Sequence, residues 1–164
     1  GMDILKEEKI AIVGCVKEIV VVQDDRKASS LPINYEASCV SINADTREVA
    51  IGGDDNKIHL YSLDANAQLE LKAELEHLGA ITDCAYSPDK KYLVACDSNR
   101  KVVLYGVDEY KPAHNKEWGF HNARVNKVAW SPNSTLIASG SLDTTIIIWS
   151  VASPAKHTII KSNF

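Results

Sequence analysis

Residues 129–150 read "AWSPNSTLIASGSLDTTIIIWS", and the order of residue types in this stretch predicts the fold. A Ser-Pro turn follows Trp130, a run of small residues leads to Asp143, and an apolar run ends on Trp149. Runs of β-branched and aromatic residues separated by Pro, Asn, Gly and Asp are typical of short strands joined by tight turns. The stretch raises the question of why an Asp stands between two strongly β-forming runs.

The same order of residue types recurs 44 residues earlier in the chain. Residues 77–107 align with residues 121–151 without a gap, a third copy at 35–63 keeps the same offset, and residues 9–23 match only the later part of the unit. A repeat of this length with several strands is typical of a β-propeller blade, whereas a β-sandwich would not repeat the same residue order. The matched positions are His77 with His121, Asn99 and Asp55 with Asp143, and Tyr105 and Tyr61 with Trp149.

The repeat therefore predicts an all-β propeller with four-stranded antiparallel blades, as a partial ring of three full blades and a fraction of a fourth. Gly1-Met2 looks like a tag remnant and is left out of the first blade's pattern. The expected divisions of this one propeller fragment are a partial first blade at 1–33 and full blades at 34–76, 77–120 and 121–164.

Residues 66–77, "NAQLELKAELEH", fit two kinds of secondary structure. The leucines alternate with polar residues as on a half-buried strand, but the segment also suits a helical turn. We favour the strand because the repeat needs a fourth strand at this point. Residues 157–164 are expected to form either the outer strand of the last blade or the closing strand of the ring.

Composition argues against several classes of protein. The formal net charge is −4 and no basic stripe stands out, so nucleic acid is not an expected partner. The apolar run at 10–22 is interrupted by Lys17 and Glu18, which excludes a signal-peptide core or a membrane span there. The four cysteines form no close pair, so we expect reduced, mostly buried thiols in a soluble cytoplasmic protein.

Catalytic chemistry is not predicted either. Asp54-Asp55 and Asp24-Asp25 are adjacent carboxylates, but neighbouring side chains on a strand point to opposite faces, so a turn explains each pair better than an acid/base dyad. The five histidines have no metal-ligand spacing, and the chain contains no phosphate loop or nucleophile elbow. We expect no catalytic residue, no cofactor and no metal site.

The repeated order of His, an aromatic-Ser-Pro turn, a small-residue strand, Asp and an aromatic-ended strand resembles the WD40 repeat. Trp149-Ser150 stands where that family has Trp-Asp, and Tyr61-Ser62 and Tyr105-Gly106 depart further from it. In the family, four of these residues join in a hydrogen-bonded chain. The structural tetrad that the resemblance implies here is Asp143, His121, Ser139 and Trp149.

The two earlier full repeats lack part of this tetrad. The repeat at 77–107 has His77, but Asn99 and Ala95 replace the Asp and the Ser, and the repeat at 35–63 has Ile33 or Asn34 in place of the His. We therefore expect these two blades to depend more on apolar packing. The other repeat-equivalent structural positions are Asp55, Asn99, His77, Tyr61 and Tyr105.

A closer resemblance lies outside the repeat letters. Residues 23–27, "QDDRK", and residues 50–62, "AIGGDDNKIHLYS", are similar to the C-terminal propeller of the actin-interacting protein 1 family, and the likeness covers roughly residues 9–151. The resemblance implies a non-enzymatic, cytoplasmic protein of the actin cytoskeleton that acts with cofilin on actin filaments and promotes their disassembly. The alternative is a general WD40 scaffold or adaptor that recruits other proteins. No actin-contacting residue is carried over from the family.

Positions that propeller proteins use for binding give five candidate protein-binding residues. They lie before the inner strand or beside the turn that carries the Asp, and ordinary solvated loop residues are the alternative for each of them. Because a ring of seven such blades needs roughly 300 residues, we also expect this chain to form a homodimer that closes the ring. The five residues are Asn122, Arg124, Asp54, Leu142 and Arg100.

Overall fold

The structure is a computed structural model that describes residues 1–114 and 118–161. Within these ranges the chain forms sixteen β-strands and a 3-10 turn at Lys6–Glu8. The strands build four antiparallel sheets of four strands each, numbered here sheet 1 to sheet 4 in chain order. The prediction of an all-β fold with four-stranded antiparallel blades is confirmed.

Sheet 1 has more strands than the sequence indicated. Only a fraction of a blade was expected here, but the sheet is four-stranded, because Met2 already pairs with Val13. The first strand is short and its alternation of apolar and polar residues is weak. Its first residue, Met2, belongs to the pair that was interpreted as a tag remnant. The strands are β1 (Met2–Leu5), β2 (Ile10–Gly14), β3 (Glu18–Gln23) and β4 (Arg26–Pro32).

Asp24 and Asp25 form the two-residue turn between β3 and β4. Their φ angles are 49° and 61°, as the two central residues of a type I′ hairpin turn require. Asp tolerates this left-handed conformation better than most residues because its short side chain bonds locally. The prediction of a turn at Asp24-Asp25 is confirmed.

Sheet 2 contains the segment that fitted two kinds of secondary structure. Residues 69–76 pair with all of residues 57–63, so the preference for a strand over a helical turn is confirmed. The strands are β5 (Ala37–Asn43), β6 (Glu48–Gly53), β7 (Lys57–Leu63) and β8 (Leu69–Glu76).

Sheets 3 and 4 repeat the order of sheet 2. In sheet 4 the last strand pairs with residues 145–149 of the third strand, as an outer strand does, and residues 162–164 lie outside the described residues. The strands of sheet 3 are β9 (Ile81–Tyr86), β10 (Tyr92–Asp97), β11 (Val102–Gly106) and β12 (Lys111–Pro112). Those of sheet 4 are β13 (Val125–Trp130), β14 (Leu136–Ser141), β15 (Thr145–Ser150) and β16 (His157–Lys161).

The chain divides into two compact units, residues 1–81 and residues 82–164, each with its own apolar core. In the first unit Ile12, Val21 and Ile51 are fully buried. Burying one such side chain contributes about 1.5–3 kcal/mol, so these cores are the main source of stability. In the second unit the buried residues include Val94, Leu104, Val125, Ile137, Ile147 and Trp149.

One backbone feature recurs with the sequence repeat. Asn56, Arg100 and Thr144 lie in the turn between the second and third strands of sheets 2, 3 and 4, and their φ angles are 66°, 71° and 66°. A non-glycine residue with positive φ is uncommon, so three at one repeat position mark a shared turn. The 44-residue offset therefore fixes the local backbone of this turn as well as its strands.

Candidate functional site

The four residues of the implied tetrad form one hydrogen-bonded chain in sheet 4. His121 Nδ1 lies 3.2 Å from Asp143 Oδ2, and His121 Nε2 lies 2.8 Å from Ser139 Oγ. The indole N–H of Trp149 donates to the same Ser139 oxygen over 2.8 Å. All four side chains are almost completely buried, since even that of Asp143 is only 8% exposed.

One arrangement of protons satisfies the whole chain of bonds. Trp149 can only donate, so Ser139 accepts from it, and in this arrangement the Ser139 O–H donates to His121 Nε2. His121 Nε2 is then an acceptor, and Nδ1–H donates to the carboxylate of Asp143. A neutral imidazole therefore satisfies every polar group, and a satisfied buried network favours one packing of the strands.

Asp143 also holds the turn and the preceding loop. Its carboxylate accepts the backbone N–H groups of Asn122 and Thr145 over 2.7 and 2.9 Å, and the Thr145 hydroxyl as well. Burial alone would raise the pKa of Asp143, but the bonds from Thr145, Asn122 and His121 outweigh it and hold the pKa well below the usual range. The Asp between two strands is therefore a structural turn acid, which answers the question that the sequence raised.

In sheet 3 the side chain that organises the turn lies at a different position from the one that the repeat alignment indicated. Asn99 occupies the position of Asp143, but Asp97 organises the turn, because its Oδ1 accepts the N–H groups of Asn99 and Lys101 over 2.9 and 3.0 Å. Asp97 is 1% exposed at the end of β10. The local signal was an Asp two residues before the Asn, a spacing at which a carboxylate caps its own turn.

Sheet 2 has a polar network of its own beside its apolar core, and the prediction that it depends more on apolar packing stays a prediction. Its histidine comes from β7: His59 Nε2 lies 3.0 Å from Asp55 Oδ2, and His59 Nδ1 lies 3.2 Å from Glu74 Oε1. The His59 ring stacks on Tyr35 at 3.8 Å with an interplanar angle of 1°, and the Tyr35 hydroxyl bonds that of Tyr61 at 2.8 Å. This second network lay outside the repeat register and was missed.

The sheet 2 network is anchored on the predicted turn residue Asp55. A Cβ at Gly53 would collide with Asp55 Oδ1, so a glycine is needed where the carboxylate folds back toward β7. Burial, together with the nearby carboxylates, raises the pKa of both Tyr35 and Tyr61, so both hydroxyls keep their protons. The tyrosine pair is therefore a pair of neutral donor and acceptor groups.

Tyr35, His59 and Tyr61 form the floor of a groove of about 490 Å³ in the first unit. This volume is within the range of ligand-binding clefts. The apolar walls come from the end of β4, the segment after it and β8. The groove is lined by Leu31, Pro32, Ile33, Asn34, Tyr35, His59, Tyr61, Leu71 and Glu74.

The five candidate protein-binding residues are all exposed. In sheet 4 the structure brings together Asn122, Arg124 and Leu142, since the N–H of Leu142 donates to the Arg124 carbonyl and that of Asn122 donates to Asp143. Asp54 has a local bond, because its Oδ1 accepts the N–H of Glu36. Arg100 lies at the left-handed position of the sheet 3 turn.

The remaining repeat positions are structural in their surroundings. Tyr61 and Tyr105 are buried at the ends of their strands, and the backbone N–H of His77 donates to the carbonyl of Asn56. In the parts of the chain that the structure describes, no group of three His, Cys, Asp or Glu residues is arranged to hold a metal ion. None of the four cysteines, all of which lie in the described part of the chain, is joined in a disulfide, and three of them are buried.

Known proteins are similar to this chain in its repeats and over nearly its whole length. The family model described as "WD domain, G-beta repeat" matches residues 69–105 and 114–150. The chain is 68% identical to actin-interacting protein 1 of Drosophila melanogaster over 99% of its length, covering 26% of that protein. It is 38% identical to the Caenorhabditis elegans protein of the same name over 98% of its length, covering 26% of that protein. It is 36% identical to actin-interacting protein 1-2 of Arabidopsis thaliana over 84% of its length, covering 22% of that protein.

The four-stranded sheets and the Asp143 network agree with WD40 repeats, which the family model matches over residues 69–105 and 114–150. The segment is similar to actin-interacting protein 1 across nearly all of its residues. It spans about a quarter of the length of these curated relatives. No helix among the described residues is both long and apolar enough to cross a membrane.

Proposed function

We propose that the chain is a protein-interaction segment of a factor like actin-interacting protein 1, which promotes the disassembly of cofilin-bound actin filaments. The observation that carries this proposal is the 68% identity to a protein of that name over 99% of the chain. The resemblance of "QDDRK" at 23–27 to the same family, which lies outside the repeat letters, supports the proposal as well. WD40 repeats by themselves support only a role in binding other proteins.

The chain contributes contacts and no chemistry in this proposal. The carboxylates and histidines that stand close together are tied into turns, as with Asp143 and His121 in sheet 4 and Asp55 and His59 in sheet 2. A net charge of −4 makes nucleic acid an unsuitable partner. The factor works in the cytoplasm at the actin cytoskeleton, without a cofactor, and binds actin filaments and cofilin.

The exposed loop surface of sheet 4 is the part of the chain that we assign to partner binding. Leu142 is 63% exposed. Arg124 and Asn122 are exposed as well, and the loop on which they lie hydrogen-bonds to the backbone of Leu142 and to the carboxylate of Asp143. An arginine beside an exposed apolar residue suits an interface centre. The rigid turn beneath, held by Asp143, fixes the positions of these side chains before binding.

Co-sedimentation with filamentous actin, with and without cofilin, tests the proposal in a full-length protein that contains this chain. We expect the protein to pellet with cofilin-decorated filaments and to increase the actin left in the supernatant. The double variant Arg124→Glu and Leu142→Asp is expected to weaken this effect, and Arg26→Glu on the sheet 1 hairpin is the matched control. An unmodified protein that neither pellets nor disassembles filaments in the presence of cofilin would remove the proposal.

The second candidate is a general WD40 scaffold or adaptor. The family model favours it equally, because the matched residues 69–105 and 114–150 define only the repeat. Cofilin-independent binding to unrelated proteins, with no effect on actin, is the result that distinguishes it. Closure of a ring by a second copy stays a prediction, and a monomeric mass in light scattering at high protein concentration would contradict it.

A further inference from the structure

The groove of the first unit contains polar residues that the WD40 repeat does not require. The positions equivalent to Tyr35 and His59 in the next repeat are Gly79 and Val103, which have no polar side chain. The stacked pair of Tyr35 and His59 is therefore specific to sheet 2. A polar floor that the fold does not need is a reason to look for a ligand.

A β-bulge in β8 determines which side chains line the rim of the groove. Leu60 pairs with Ala73 while Tyr61 pairs with Leu71, so Lys72 is an extra residue in β8. Because a bulge shifts the alternation of side chains, Leu71 and Glu74 both line the groove although they are three residues apart. Leu71 is 48% exposed, and the side chain of Glu74 is 37% exposed. An apolar residue and a carboxylate thus stand together at an open mouth.

The floor offers hydrogen-bonding capacity to a ligand. Tyr35 and Tyr61 are each at most 5% exposed, and the single bond between their hydroxyls uses one proton and one lone pair. Because each phenolic oxygen donates one hydrogen bond and accepts about one, one acceptor site and one O–H remain for a group in the groove. Glu74 contacts Lys57 and His59, which leaves about two of the four lone-pair sites on its carboxylate. The free sites are mainly acceptors.

The charge around the groove agrees with this count. The carboxylates of Asp55 and Glu74 both contribute to the raised pKa of Tyr35 and Tyr61, so their negative potential reaches the floor. Lys57, paired with Glu74 at 2.8 Å, keeps the pKa of that carboxyl below its usual range. Glu74 therefore stays ionised at neutral pH. Hydrogen-bond acceptors and a negative potential, together with apolar walls, suit a ligand that has an aliphatic stem and a cationic end.

We propose that this groove binds the basic side chain, arginine or lysine, of an extended peptide from a partner protein. The aliphatic stem lies against Leu31, Ile33 and Leu71. The cationic end donates to Glu74 and to one tyrosine hydroxyl at the floor. This inference deepens the proposed protein-interaction function, on which it rests for the protein nature of the partner.

The test uses the ¹⁵N-labelled chain and short capped peptides as probes. Acetyl-Gly-Leu-Arg-Gly-amide and its lysine counterpart are titrated while the amide resonances are followed by NMR. Peptides with citrulline or norleucine in the same place have a similar shape and no charge. We expect saturable shifts centred on Asn34, Tyr35, Leu71 and Glu74, with roughly tenfold weaker binding of the neutral peptides.

Two variants and one control locate the site. Glu74→Gln is expected to weaken binding of the arginine peptide roughly tenfold, whereas Glu70→Gln, a more exposed carboxylate on the same strand, leaves it unchanged. Should Glu74→Gln perturb the fold, Leu71→Lys places a positive charge at the mouth on a largely exposed residue and is expected to weaken binding as well.

Equal binding of the arginine and citrulline peptides, or shifts that map away from the groove, would overturn the inference. The outcome is independent of the actin experiment. A groove that binds basic peptides in a protein inactive on actin would favour the general adaptor, and an active protein with an empty groove would remove only this inference.

Discussion

Sheet 2 and sheet 4 connect a turn Asp to the sheet through a histidine, but they do so in opposite ways. In sheet 4 the histidine precedes the inner strand, and its partners Ser139 and Asp143 are buried with it. In sheet 2 His59 lies on the third strand, and its partner carboxylates on Asp55 and Glu74 are 33% and 37% exposed. The difference separates a closed network that serves the fold from an open one that borders a groove.

The largest difference between the two networks is expected at their histidines. His121→Leu leaves the buried Ser139 and Asp143 without a partner, so we expect a loss of about 3 kcal/mol in the free energy of unfolding. His59→Leu leaves carboxylates that water can reach, and about 1 kcal/mol is expected. Urea unfolding followed by tryptophan fluorescence measures the first variant, since all three tryptophans lie in residues 82–164, and circular dichroism measures the second. Equal losses would remove the distinction.

A smaller difference is expected at the hydroxyl groups. Ser139→Ala removes two bonds at once, from Trp149 and to His121, so about 2 kcal/mol of stability is expected to be lost. Tyr61→Phe removes one bond beside a groove that admits water, and the loss is expected to be about 0.5–1 kcal/mol. The same unfolding measurements apply. A Tyr61→Phe loss as large as that of Ser139→Ala would mean that the floor of the groove is as closed as the sheet 4 network.

The sheet 4 network also predicts a dependence of stability on pH. The pKa of Asp143 is lower in the folded chain than its ordinary value of 3.8, so its contribution is fully present above that pH and is lost as the pH falls through the folded pKa. Asp143→Asn has no such proton to bind. We therefore expect the stability advantage of the unmodified chain over this variant to shrink between about pH 4 and pH 2. An advantage that is constant over this range would show that hydrogen bonds do not hold the carboxylate ionised.

The sequence predicted the closed network and missed the open one for a physical reason. The 44-residue offset aligns Asp143, His121 and Trp149 with positions of the other repeats, and the WD40 resemblance implies that they join in one network. His59 and Tyr35 have no counterpart in the other repeats, and the bulge at Lys72, which depends on strand register, decides that Glu74 faces them. A site built from one blade's own residues is therefore invisible to repeat comparison.

The limits of the offset appear in two other places. In sheet 3 the turn acid is Asp97 and not the aligned Asn99, because a carboxylate two residues earlier caps the same turn equally well. In sheet 1 the short strand Met2–Leu5 has too few residues for a pattern, yet it pairs along its whole length with β2. In both cases tertiary and local hydrogen bonds decide what the repeat alone does not.

The melting temperature of Asp143→Ala tests the central claim most directly. If Asp143 is a structural turn acid, the variant loses the bonds to His121, Asn122 and Thr145, and the melting temperature is expected to fall by about 5–10 °C. The matched variant Asp55→Ala, whose carboxylate is one-third exposed, is expected to fall by less than about 3 °C. An unchanged melting temperature for Asp143→Ala, together with loss of partner binding, would contradict the account.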